Sequence, residues 1–219
     1  MSSSANTTST QAAKKTSRQK VREDSYNRIL GAARRVFSEQ GFSGTSLDAI
    51  AKEANCTKGL VVHYFGGKQQ LWQAVIDYYA SLAEGSEFIN QNSTLDMPGI
   101  ELFLRRTFRF FQTHPDYTQI ADWIAVDNSV GIPPEMSRLL QGAGAAFSQT
   151  QQAGALREDV DARHAHLLAY SLIASWFRYR TLFQQAWQLD PAQSQDQGDA
   201  YFNDILKILI RGLAPVAGE

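Results

Sequence analysis

Between Thr45 and Lys68 the chain gathers side chains that can meet a polyanion: the hydroxyls of Thr45, Ser46, Thr57 and Tyr64, the ammonium groups of Lys58 and Lys68, and the imidazole of His63. Phosphate oxygens accept from such donors and from amides at helix starts, while base edges accept from longer cations. Lys58, Gly59, Leu60 and His63 are expected to face base edges. Thr45, Ser46, Tyr64 and Lys68 are expected to hold phosphates. Catalytic chemistry finds no comparable set. His164 and His166 are two apart and diverge on a helix, which defeats joint metal ligation. Cys56 lies in an apolar turn without a histidine base beside it, and Gly142 and Gly144 have no strand before them to make a phosphate loop. No enzyme, metal or cofactor is expected.

Those donors need short helices to aim them. Ile29, Leu30, Ala33, Val36 and Phe37 form an apolar stripe opposite Arg34, Arg35, Ser38 and Glu39, and Gly41 stops that helix. Ser46 opens a second helix whose buried face is Leu47, Ile50, Ala51 and Ala54. Asn55 marks the turn, where a left-handed conformation is tolerated. Thr57 caps a third helix with Val61 and Phe65 inward, and Gly66-Gly67 ends it. Two short helices joined by a tight turn are a helix-turn-helix.

The stretch from Arg28 to Leu71 resembles the DNA-binding domain of TetR-family transcriptional regulators. Ala33, Phe37, Gly41, Phe42, Thr45, Ser46, Ile50, Ala51, Ala54, Gly59, Tyr64, Phe65, Lys68 and Leu71 match the family's motif without a gap. Asn55 replaces a turn glycine, Cys56-Thr57 replaces Val-Ser with volume and cap retained, and Val62 stands where many members carry a tyrosine. The resemblance implies an all-α protein of about nine helices: a three-helix DNA-binding domain, then a larger ligand-binding and dimerisation domain. The expected boundaries are 1–22 for a disordered basic arm, 23–68 for the DNA-binding domain and 69–219 for the rest. The arm follows phosphates or is simply solvated.

The charge distribution agrees. The net charge is −1. Residues 1–68 hold 11 Lys and Arg against 5 Asp and Glu, and the remainder hold 10 against 17, so polyanion is met at one end only. One cysteine excludes an intrachain disulfide framework, and no apolar run approaches membrane-spanning length. A cytoplasmic protein is expected.

Beyond Lys68 the periodicity is helical throughout. A helix of about 68–84 is followed by a loop at 85–97 and helices near 100–113, 116–128, 135–153, 162–188 and 199–213. The turn Gly154–Asp161 resembles a connection common in the family. The last two helices are apolar beyond one stripe and need two partners; the resemblance implies a homodimer through them, with Tyr201, Ile205 and Ile208 facing the second copy. In the middle helices, Phe111, Trp123, Trp176 and Phe177 lie near Asp122 and Asp127. They form either an aromatic chamber for an aromatic or cationic effector or plain core. The function expected is a repressor released from palindromic double-stranded DNA by a small molecule; the alternative is an effector-free architectural or partner-recruiting DNA-binding protein of the same fold.

Overall fold

Helix-stopping glycines and capping hydroxyls divide the first part of the chain into short elements, and long amphipathic runs build the second. The computed structural model describes residues 5–85, 95–127 and 129–215. Most of the loop expected at 85–97, the first four residues of the arm and Asn128 lie outside the described residues. Those described hold nine α-helices, a 3-10 turn at Pro191–Gln193 and no strand. Two compact units result, Met1–Val75 and Ile76–Glu219.

In the first unit, α1 (Ala5–Gly44) carries the stripe expected of it, with Ile29, Ala32, Ala33 and Phe37 fully buried. It begins at Ala5, so the segment expected to be disordered is helical from there on. No glycine or proline interrupts residues 5–30, and Gln11-Ala12-Ala13-Lys14-Lys15 are good helix formers. Gly41 breaks the helix with φ of 68°. After it come α2 (Leu47–Glu53) and α3 (Lys58–Phe65), and the turn between them holds Asn55 at φ of 48°. The unit ends inside α4 (Lys68–Gly85), not at Lys68, because its core needs that helix. Leu71 and Val75 are fully buried, and Trp72 lies edge-on to Phe37 and Phe42 at 5.0 and 5.7 Å.

In the second unit, α5 (Met97–Thr113), α6 (Pro115–Val126), α7 (Pro134–Gln152) and α9 (Ser194–Leu213) all pack on α8 (Ala162–Ala186). The turn expected before α8 ties three helices together. Gln151 at the end of α7 donates to the carbonyls of Arg157 and Val160 (both 2.6 Å), and the Arg157 amide donates to Leu213 O of α9 (3.0 Å). The core is aromatic: Phe108 stacks on Phe202 at 4.5 Å, and Trp176 stacks on Tyr201 at 5.3 Å. Gly198 sits over that indole, where a Cβ would come 2.8 Å from Trp176 Nε1. Gly198→Ala is therefore expected to force the stacked pair apart and destabilise the unit by about 1–3 kcal/mol, read as a shifted denaturation midpoint with unchanged slope.

Candidate functional site

The first unit presents one face of α3 outward. Thr57 caps this helix by accepting from the Leu60 amide at 3.2 Å, and Ser46 caps α2 from the Ala49 amide at 3.1 Å. Each hydroxyl spends an oxygen lone pair on its cap and keeps its proton to donate outward. Lys58 is exposed and pairs with Asp48 at 2.8 Å across α2 and α3. Gly59 and His63 are exposed, Leu60 is half-buried, and Val62 joins the outer row with 41 % of its surface accessible. Tyr64 is half-buried, edge-on to His63 and to Tyr26, which in turn stacks on Phe65. A Cβ on Gly59 would meet only Thr57 Oγ1, at 3.9 Å, so the protein interior does not require glycine there.

Two expected phosphate contacts have other work. Thr45 is buried, and its hydroxyl donates to Gly41 O at 2.6 Å, closing the turn after α1. It is absent from the outer face because its side chain points back at the carbonyl that Gly41 exposes. Lys68 donates to Phe42 O (2.9 Å) and Thr45 O (3.0 Å) and lies over the Phe42 ring at 4.4 Å. This ammonium neutralises carbonyls left over at the α1–α2 corner. Lys68→Met should accordingly lower the stability of the first unit by about 1–3 kcal/mol, measured by urea unfolding in the absence of DNA. An unaltered midpoint would return Lys68 to the expected phosphate role.

The second unit holds a partly open cavity of about 570 Å³ between α6, α7 and α8. Ala121, Ile124, Ile132, Met136, Leu140 and Leu167 supply its apolar walls, and Tyr117, Asp127, His166, Tyr170 and Arg178 supply its polar groups. A larger crevice of about 710 Å³ shares Leu140 and His166 but is otherwise lined by Gln141, Ser148, Gln151 and acidic residues of the turn before α8. The smaller one has the aromatic and aliphatic walls that hold a small molecule.

Of the expected chamber residues, only Asp127 lines this cavity. Phe111 is fully buried behind Tyr117 and Tyr170, at 5.7 and 5.5 Å, and Phe177 packs on Phe111 and Phe108. Trp176 turns to α9, and Trp123 is not in the wall. Close packing claims these rings. Asp122 acts one step removed, paired with Arg178 of the wall. Asp127 Oδ1 accepts from the amide and hydroxyl of Ser129 at 3.0 and 2.6 Å. The missed residues did leave a signal: His166, Tyr170 and Arg178 are spaced by multiples of four, one polar row along α8.

Burial, and after it the neighbouring Tyr170, hold the Tyr117 phenol protonated far above its ordinary range. The Tyr117 and Tyr170 hydroxyls are hydrogen-bonded to each other, a contact that raises the first and lowers the second. Burial raises Tyr170 on balance, opposed by the Arg178 charge. Desolvation lowers His166, which is neutral at pH 7.

The last two helices keep an apolar row outside. Leu168, Tyr179, Leu182 and Phe183 of α8 and Ile208 of α9 expose between 40 and 65 % of their surface. Ile205, expected in that row, is turned into the core of its own unit, and Tyr201 bonds to Ser175 Oγ at 2.6 Å and Leu172 O at 3.0 Å. The α9 face closest to α8 has captured both. Ile208 alone of the three expected residues remains outward.

Residues 29–75 match the family model of bacterial regulatory proteins, tetR family. The first unit therefore carries a DNA-binding segment of that family's type. Over 199 residues it is 28 % identical to the HTH-type transcriptional repressor NicS of Pseudomonas putida, covering 84 % of this chain and 90 % of that one. The fold of the hemolysin II transcriptional regulator HlyIIR is similar, with a TM-score of 0.66 at 18 % identity over 88 % of this chain and 98 % of that one. AibR, solved with isovaleryl coenzyme A and operator DNA, has a TM-score of 0.54 at 21 % identity over 70 % of this chain and 86 % of that one. The chain is a DNA-binding transcriptional regulator of TetR type. Among the described residues, no group of three or more His, Cys, Asp or Glu could hold a metal, and no helix is long and apolar enough to cross a membrane.

Proposed function

We propose that this regulator works as a homodimer that represses transcription from a palindromic operator and is released when a small molecule fills the cavity between α6, α7 and α8. The observation that carries the reading is the outward row of α3. Lys58, Gly59, Leu60, Val62 and His63 leave their surface clear of the unit's core, on a helix fixed at its start by a cap and at its end by Gly66. Lys58, Leu60 and His63 would read base edges, with Gly59 letting the backbone approach closely. Ser46, Thr57 and Tyr64 would hold phosphates. NicS is named a repressor, which supports the sign of regulation, and AibR is a neighbour solved with both a ligand and operator DNA.

Two recognition helices must enter successive major grooves about 34 Å apart, so two copies are required. The apolar row on α8 and α9 supplies the surface for the second copy: exposed large side chains on one side of adjoining helices are a common mark of association. An effector-free architectural role is less well supported, because the aromatic side chains pack around an open cavity without filling it. Helix α4, which belongs to both units, would carry the effector signal to the reading head. The coupling needs a conformer preference of about 1–3 kcal/mol.

Selection from random duplex DNA followed by footprinting should return an inverted repeat; recovery of a single asymmetric site, or none, would sink the proposal. Lys58→Ala should relax preference at one base position, at a cost of about 1–3 kcal/mol there, while Ser46→Ala weakens all sequences alike. Ile208→Glu should give a folded monomer by light scattering and lose operator affinity, with helicity unchanged. A dimer that survives both this change and Leu182→Glu would put the interface elsewhere.

A further inference from the structure

The polar groups of the cavity between α6, α7 and α8 lie along α8 and at the two ends of α6, and their charges define what can fill it. Among the described residues, Arg178 is the only cation in the wall. Both nearby carboxylates are already engaged: Asp122 by the Arg178 guanidinium itself, Asp127 by the amide and hydroxyl of Ser129. His166 is neutral, and the two phenols stay protonated at any pH the protein meets. A cationic ligand would have the guanidinium against it and would compete with Arg178 and the Ser129 donors for the two carboxylates. Tyr117 and Tyr170 share one hydrogen bond between two hydroxyls, which leaves the pair one O–H to give to an acceptor. The remaining wall is aliphatic, from Ala121, Ile124, Ile132, Met136, Leu140 and Leu167.

We propose that the effector is an apolar organic monocarboxylate, its head group bound by Arg178 and the Tyr170 hydroxyl in place of Asp122 and its apolar body laid along α6 and α7. The proposal rests on this cavity being the effector site. Asp122 acts as a built-in competitor. Its carboxylate occupies Arg178 while the cavity is empty, and its side chain is 43 % accessible, so it can return to water when a ligand carboxylate takes the guanidinium. The exchange keeps the Arg178 charge balanced and links ligand entry to release of an α6–α8 contact.

Titration calorimetry on the full chain with octanoate and benzoate, each beside its neutral amide and its amine, tests this. A carboxylate should bind at least about tenfold more tightly than its amide, as expected for a charge-assisted pair. Arg178→Gln should abolish that preference and Tyr170→Phe should weaken carboxylate binding; the latter deletes one hydroxyl only and keeps the test open if the former fails to fold. Asp122→Asn should tighten carboxylate binding, which a purely structural ion pair would not do. Preference for an amine or an amide, or carboxylate binding unchanged in both Arg178→Gln and Tyr170→Phe, overturns the anion assignment and leaves the cavity as effector site. No binding by any of the six compounds overturns both readings.

Discussion

One helix has to satisfy four neighbours. α8 packs on α5, α6, α7 and α9 and still exposes an apolar row, so each of its sides is committed to a different task. Its innermost side is built from small residues, Ala162, Ala165, Ala169 and Ala174, which let neighbouring helices approach closely, with Ile173 filling the space between them. A second side carries His166, Leu167, Tyr170 and Arg178 into the cavity. A third carries Leu168, Tyr179, Leu182 and Phe183 outward. Leu167 and Leu168 are successive residues and belong to different sides, so a small rotation of α8 alters the cavity and the outer row together.

The first unit solves the opposite problem. It must hold a short helix rigid while leaving its outer face free, and a two-turn helix has little stability of its own. Its order comes from groups at its edges. Thr57 and Ser46 cap the helices, Thr45 seals the corner after α1, and Lys68 ties the corner's carbonyls to the start of α4. The Thr45 hydroxyl and the Lys68 ammonium, expected to contact phosphate, are spent on this bracing. The outer row stays small and mixed, with one glycine, two aliphatic side chains, one lysine and one histidine.

Legibility in the sequence followed how local the cause was. The helix-turn-helix was readable because its caps, its turn asparagine and its apolar positions lie within a few residues of one another, and Asn55 does adopt the left-handed backbone expected of it. The helices of the second unit were readable to within a few residues for the same reason. What could not be read was which way a long-range side chain turns. Trp176 and Phe111 looked like chamber walls by residue type, yet packing against α9 and around Tyr117 and Tyr170 took them into the core. Ile205 and Ile208 are three apart on an apolar helix, and only the position of α8 decides that one is buried and the other exposed. Trp72, a core residue of the first unit, lies past the domain boundary that the motif suggested, since the motif's last matched residue precedes it.

Stability and switching draw on the same contacts in the second unit. The side chains that close the cavity, Tyr117 and Tyr170, also cover Phe111 at the centre of the core. A ligand that moved them would expose that ring, a cost that restricts how far the cavity can open at these tyrosines. The Arg178–Asp122 pair is different. It is partly solvated, so its loss costs little, and it joins α6 to α8 at the guanidinium of the cavity wall. The cheapest deformation open to an incoming ligand is therefore release of α6 from α8 with the aromatic core left intact. Because the outer row of α8 is fixed by whatever covers it, α6 and its neighbours are the elements left to move.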